Sequence, residues 1–158
     1  MLTATFVYGL YTINDRQPIW NFISSVVASI QIPWVVLGDF NEVIGPNEIF
    51  GDNIPWTTGM NDFTDCLNKS CLLDLRYTGL FYTWSNWRFN KYDFTERKLD
   101  MVLVNNDWLD CYPHSNTFFK ALGISDHSPM IADMGNNIRK KVCLSNSIII
   151  GLPLITLT

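Results

Sequence analysis

Apolar positions along the chain fall into several short runs and two helical stripes. Thr3 to Gly9 alternates weakly and is rich in β-branched and aromatic residues, which predicts a strand. Ile19, Trp20, Ile23, Val26, Val27 and Ile30 recur at three- and four-residue spacing, predicting a helix capped by Asn14 or Asp15 with Pro18 in its first turn. Pro33 ends that segment, and Trp34 to Leu37 reads as a short strand buried on both faces. The stretch from Asn41 to Thr58 is rich in Gly, Pro, Asn and Asp and reads as a long loop, a feature that is often functional. A second helix is expected over Gly59 to Lys69, where Met60, Phe63, Cys66 and Leu67 share a face. Strands follow at Leu72 to Leu75 and Phe81 to Ser85, around a turn at Thr78-Gly79. Further strands are expected at Leu99 to Val104 and Met130 to Asp133, and Thr117 to Leu122 leads into the Asp126-His127 corner. The order implies an α/β fold in layers, with helices outside sheets. After Met134 the chain turns polar and basic, then apolar without helical periodicity, so the tail is expected to lie outside the fold.

Composition narrows this only slightly. The 158 residues fit one domain with a real core, and 47% hydrophobic content with 16% charged excludes general disorder. A net charge of -4 argues against coating nucleic acid by bulk electrostatics, though not against a local site assisted by cations. The four cysteines form no CxxC pair and no zinc spacing with His114 or His127, so free thiols are expected. No basic segment precedes an apolar one at the start, as a secretion signal would require. The apolar tail Ile148 to Leu157 is shorter than the roughly 20 residues of a spanning helix. An intracellular protein without a membrane partner is the expectation.

Candidate chemistry gathers where two apolar runs stop. Val35-Val36-Leu37 ends in Gly38-Asp39-Phe40-Asn41, and Ile124 is followed by Ser125-Asp126-His127-Ser128-Pro129. Ligands in sheet proteins collect at strand ends, and this set suits metal-assisted attack on a phosphodiester. Asp39 is either a metal ligand and proton acceptor or an ordinary turn Asp, and Asn41 either a phosphate donor or a turn residue. His127 needs a carboxylate to fix its tautomer. Asp100 is the candidate, unless it pairs with Lys98 or Arg97 at the strand edge. Tyr8 and Arg16 flank the first loop and could touch a phosphate, although Arg16 could equally be a solvated side chain in the helix. His114 reads as a surface loop residue. Trp84, Trp87, Arg88, Phe89 and Lys91 interleave aromatic and basic groups that can stack on bases, as an exposed hairpin also would.

Together these segments resemble the endonuclease/exonuclease/phosphatase superfamily, and within it the endonuclease domain of plant LINE-type (non-LTR) retrotransposon polyproteins. The matching stretches are Val7-Tyr8-Gly9, Arg16 with Trp20, Pro33 to Asn41, Met60 to Phe63, Gly79 to Asn86, Lys98 to Asn105 and Ser125 to Pro129. The resemblance covers residues 3 to 134 and implies a DNase I-like four-layered α/β sandwich. Residues 135 to 158 form a divergent tail. The implied activity is hydrolysis of a DNA phosphodiester with magnesium or manganese, similar to an AP endonuclease. In that scheme Asp39 orients or deprotonates the attacking water and Asn41 binds the scissile phosphate. Asp126 contributes to the metal site, His127 stabilises charge on the pentacovalent phosphate, and Asp100 holds His127. Tyr8 would hydrogen-bond a phosphate oxygen. The implied partners are DNA and, in intact relatives, a linked reverse transcriptase, and the implied location is nuclear.

Two departures from the family pattern bear on these expectations. The family's first two strands, one bearing an Asn and one a metal-binding Glu, have no counterpart here, and Glu42, Glu48 and Glu96 are not at matching positions. Lys98-Leu99-Asp100-Met101 stands where relatives more often carry Arg-Leu-Asp-Arg or Arg-Leu-Asp-Tyr. The expectation is therefore a partial sandwich, lacking its N-terminal strands, with weak or lost nuclease activity. Two alternatives stay open. One is a phosphatase or phosphodiesterase acting on a small molecule or lipid head group. The other is a non-catalytic retroelement remnant that binds nucleic acid or a partner.

Overall fold

Strand parity explains how the chain assembles. In the computed structural model, which describes residues 1–135 except 53, 89 and 91, together with the backbone of Ser145–Ile150, the elements are as follows. Strand β1 (Leu2–Tyr8) leads to helix α1 (Ile13–Val26), β2 (Trp34–Asp39), the short β3 (Ile49–Phe50) and helix α2 (Thr58–Ser70). Then come β4 (Leu73–Asp74), β5 (Tyr77–Gly79), β6 (Trp84–Ser85), β7 (Glu96–Arg97) and β8 (Asp100–Val104). Helix α3 (Asn106–Cys111), β9 (Asn116–Phe119), β10 (Met130–Asp133) and β11 (Ser145–Ile150) complete the series. They make one five-stranded sheet in the order β11-β1-β2-β8-β4 and two three-stranded sheets, β10-β9-β5 and β3-β7-β6. The fold is thus mixed α/β with several sheets.

Strands β2 and β8 run antiparallel at the centre of the larger sheet, with Val36 opposite Leu103 and Val35 opposite Val104. Alternate residues face opposite sides of a sheet. Val36, Met101 and Leu103 join Ile19, Trp20 and Ile23 of α1 and Phe63, Cys66 and Leu67 of α2 in one core. Val35, Val102 and Val104 join Leu75, Trp108 and Tyr112 in a second core on the opposite face. Both faces are covered, which is why β2 reads as a continuous apolar run. Trp20, Phe40 and Phe63 stack at the centre of the first core, with ring centroids 4.6 Å apart for Trp20–Phe63 and 5.3 Å for Phe40–Phe63. Each such fully buried side chain contributes about 1.5–3 kcal/mol.

Several expectations need correction. Thr12, not Asn14 or Asp15, caps α1: its Oγ1 accepts from the Asp15 N–H at 3.2 Å and donates to the Asp15 carboxylate at 2.6 Å. The helix therefore starts earlier than expected, and Pro18 lies inside it rather than in its first turn. The Thr78-Gly79 turn is instead the end of β5, parallel to β9, with Gly79 at φ +100°. Helix α3 has no counterpart in the apolar pattern, because its six residues bury Trp108 alone. It forms because the Asn105 side chain accepts from Trp108 N at 3.0 Å and from Trp34 N at 2.9 Å, capping the helix and fastening it to β2. The tail also differs from expectation over six residues: Ser145–Ile150 pairs in parallel with β1, Leu2 opposite Ser145 and Val7 opposite Ile150. A β-branched apolar run suits strand pairing without any helical period, and it covers an edge that would otherwise present unpaired N–H and C=O groups. Cys66, Cys71 and Cys111 are free thiols, and Cys143 lies outside the described residues. Among the described residues no helix is long and apolar enough to cross a membrane.

Gly9 marks where β1 ends against the β2 loop. Its N–H donates to the Asp39 carbonyl at 2.6 Å, and a Cβ there would stand 2.2 Å from the Phe40 carbonyl oxygen. Backbone cannot yield to a methyl as a flexible side chain can. Gly9→Ala is expected to destabilise the fold by about 1–3 kcal/mol, read as a lowered midpoint in urea. An unchanged midpoint would show that the two segments can separate at no cost.

Candidate metal and phosphate site

The parity that fills the second core also builds the site. Val35 and Leu37 of β2 and Val104 and Val102 of β8 pack on one face, and the next same-face positions are Asp39 and Asp100. Because β8 is antiparallel, its first residue stands opposite the last residue of β2. Parallel β1 brings Tyr8 beside Asp39 by the same register. Three strand ends thus set Tyr8, Asp39 and Asp100 side by side.

His127 arrives on the segment between β9 and β10. Trp84 and His127 form an antiparallel bridge, and Ser128 N donates to Thr83 O at 2.7 Å. The imidazole Nδ1 lies 2.9 Å from Asp100 Oδ2, and Nε2 lies 3.9 Å from Asp39 Oδ2. With Asp100 ionised, Nδ1–H is the donor, so Nε2 is the nitrogen turned toward Asp39. That separation from Asp39 is longer than a direct hydrogen bond. Asp100 therefore pairs with His127 and not with Lys98 or Arg97. Lys98 is buried between Glu48, at 3.2 Å, and Asp74, while Arg97 reaches Asp52 at 3.4 Å.

Oxygens of Asp39 and Asp100 and a ring nitrogen of His127 all lie within 4.8 Å of one another, a carboxylate and imidazole group able to hold a metal ion. Burial pushes the Asp39 carboxyl up to about 6, helped by the charge of Asp100. The Asn41 N–H, His127 and Arg16 oppose that rise without cancelling it. The hydrogen bond that His127 donates to Asp100 raises the imidazole above its ordinary range, burial opposes it, and the charges of Asp100, Asp39 and Asp126 add to the rise. Two neighbouring carboxylates and an imidazole grouped at a strand end, with the proton affinities of Asp39 and His127 displaced, mark a candidate functional site. Because its folded-state value is raised, Asp39 stabilises the fold fully below 3.8 and loses that contribution as pH rises through about 6.

Asn41 follows directly, in the left-handed region at φ +50°. Its N–H donates to Asp39 Oδ1 at 2.8 Å, and its side-chain amide donates to the Gly9 carbonyl at 3.3 Å. One amide hydrogen is thereby engaged and the second is left for a ligand. Tyr8 is exposed at the rim. Asp126 stands outside the Asp39–Asp100–His127 group: its carboxylate accepts from the Trp84 indole N–H at 3.0 Å, and its carbonyl from Ser85 N at 3.0 Å. It reaches the site by charge, through His127. His114 is an exposed residue, as expected.

Arg16 is neither a solvated side chain nor a free phosphate ligand. It is 5% exposed, with Nη2 2.6 Å from Glu42 and Nη1 donating to the carbonyls of Leu10 and Tyr11 at 2.9 and 2.8 Å. The pair pins the loop after β1 to the loop that carries Asn41. Sequence reasoning missed Glu42 and the Glu48–Lys98–Asp74 cluster, since ion pairs between residues 24 to 50 positions apart leave no periodic signal. Trp84, Trp87 and Arg88, with Ile124 and Asp126, line an open groove beside His127. Phe89 and Lys91 lie outside the described residues.

No family model matches the chain, and no curated protein matches it. Among solved structures it is similar to the crystal structure of beta toxin 275-280 from Staphylococcus aureus. Identity is 18%, with a TM-score of 0.47, over 76% of this chain and 45% of that one. The chain therefore spans less than half the length of that protein.

Proposed function

We propose that the chain is a divalent-metal-dependent phosphodiesterase with a DNase I-like layered architecture, and that its substrate is DNA. The observation that carries this reading is the His127 imidazole held 2.9 Å from Asp100 and 3.9 Å from Asp39 at a shared strand end. In this reading Asp39 orients and deprotonates a water held toward Nε2, and Asn41 donates its remaining amide hydrogen to a phosphate oxygen. Asp100 fixes the imidazole, and the His127 ring faces the charge that develops on phosphorus. Tyr8, on the rim, is in reach of a second phosphate oxygen.

Magnesium or manganese fits the donor chemistry, since Asp39 and Asp100 offer the hard oxygens that these cations prefer. When bound, the cation supplies Lewis-acid polarisation of a phosphoryl oxygen. Asp126 adds negative charge at the edge of the site. Support for DNA over a small phosphate ester comes from Trp84, Trp87 and Arg88 beside His127, a mixture of rings and guanidinium suited to stacked bases and phosphates. The LINE-type lineage, with a linked reverse transcriptase and a nuclear location, is supported by the ordered motifs from Val7-Tyr8-Gly9 to Ser125-Pro129.

Nicking of supercoiled plasmid with magnesium tests the proposal, beside EDTA and Asp39→Asn controls. Nicking abolished in both controls supports it. A folded chain that never nicks sinks it, and preferential turnover of a phosphomonoester or choline phosphodiester in competition would move the substrate class. A second expectation concerns pH. A cation must displace the Asp39 proton, so Mn2+ affinity is expected to rise as pH is raised through about 6. Electron paramagnetic resonance titrations below and above that value would show it, and an affinity flat in pH would remove Asp39 from the metal site.

A further inference from the structure

Asp100 and His127 stand on segments that do not pair with one another. Strand β8 has β2 and β4 as its ladder partners, while the segment around His127 bridges to Trp84. Something else must set the 2.9 Å contact between them. Thr83 touches both sides. Its hydroxyl oxygen accepts the backbone N–H of Leu99 at 3.0 Å and of Asp100 at 2.9 Å. Its own N–H donates to Arg97 O at 2.9 Å, and its carbonyl accepts from Ser128 N at 2.7 Å. The side chain is fully buried, so no water can take the place of the hydroxyl without rearrangement. Leu99 lies just before the β8 ladder and Asp100 opens it, so the hydroxyl serves here as the acceptor for both N–H groups.

We propose that Thr83 is a positioning residue that sets the Asp100–His127 contact by holding the backbone of Asp100 through its hydroxyl and that of Ser128 through its carbonyl. The consequence for turnover rests on the phosphodiesterase reading above, whereas the geometric claim does not. Valine matches threonine in shape but cannot accept, leaving two buried donors without partners and freeing Asp100 to shift. Displacement of a catalytic constellation by about 1 Å can cost on the order of 100-fold in rate.

The test uses the full chain carrying His114→Ala, so that one imidazole remains, with Thr83→Val and Thr83→Ser added in turn. Nuclear magnetic resonance of the His127 Nδ1–H proton reads the hydrogen bond to Asp100 directly. A protected, downfield signal is expected in the parent chain and in Thr83→Ser, and its loss in Thr83→Val. In plasmid nicking, Thr83→Val should lower kcat by roughly 10- to 100-fold with KM little changed, and Thr83→Ser should restore it. A signal that survives in Thr83→Val, or is absent in the parent or in Thr83→Ser, would overturn the proposal. Should Thr83→Val not fold, Thr83→Ala carries the same comparison. A parent chain that shows the signal but does not nick defeats the phosphodiesterase reading and leaves the role of Thr83 to be decided by the resonance alone.

Discussion

His127→Ala is expected to lower metal-dependent phosphodiester hydrolysis by roughly 10²–10³-fold, the range for loss of one group that stabilises charge in the transition state. The imidazole stands between two carboxylates, fixed by Asp100 on one nitrogen and facing Asp39 with the other. Its removal deletes the group turned toward the reacting phosphate and leaves both carboxylates without their shared counter-charge. Asp100→Asn should cost less: the ring stays, but the neutral amide no longer holds Nδ1–H as a carboxylate does. Single-turnover nicking at saturating magnesium separates the two variants from a binding defect. If His127→Ala nicks as fast as the parent chain, the observed activity does not arise at this strand end.

Arg16→Met should cost about 3–5 kcal/mol of stability, because it strands Glu42 as an unpaired charge in a buried setting. Both partners are almost wholly enclosed, with side-chain exposures of 6% and 10%, so solvent screens little of the interaction. Two further hydrogen bonds to the Leu10 and Tyr11 carbonyls are lost with the guanidinium. For a chain of this size such a loss lowers Tm by roughly 6–20 °C. The double variant Arg16→Met/Glu42→Leu should recover much of it, since replacing a buried pair by apolar groups is often neutral. Tryptophan fluorescence during thermal unfolding would follow all three chains. A loss below about 0.5 kcal/mol, as for an ordinary surface change, would mean that Glu42 finds water or another partner. Asn41 immediately precedes Glu42 in the chain, so any displacement of Glu42 should also weaken the candidate site.

Much of the frame was legible because burial writes a period into the chain. The stripe from Ile19 to Ile30 marked α1, although the helix itself stops at Val26, and the unbroken run Trp34 to Leu37 marked a strand covered on both faces, as β2 is. Asp39, Asn41, Asp100 and His127 were singled out by their places at the ends of such runs, and Asp39, Asp100 and His127 meet in space. The cap of α1 was misplaced by two or three residues because Thr12, Asn14 and Asp15 all suit that role, and only the hydrogen bond from Asp15 N decides among them.

By itself the sequence determined the two longer helices and the central strands β2 and β8, which of their faces are apolar, and which strand ends carry carboxylates and imidazole. Those properties depend on neighbours within a turn or two of chain. Tertiary structure alone decided that Asp100 turns to His127 while Lys98 turns to Glu48 and Asp74, and that Arg16 is buried against Glu42. It also decided that Ser145–Ile150 pairs with β1, and that Thr83 stands between the segments bearing Asp100 and His127. Such contacts join residues far apart in the chain, and which partner a charged or hydroxyl group finds is set by strand order and register, which no local pattern encodes.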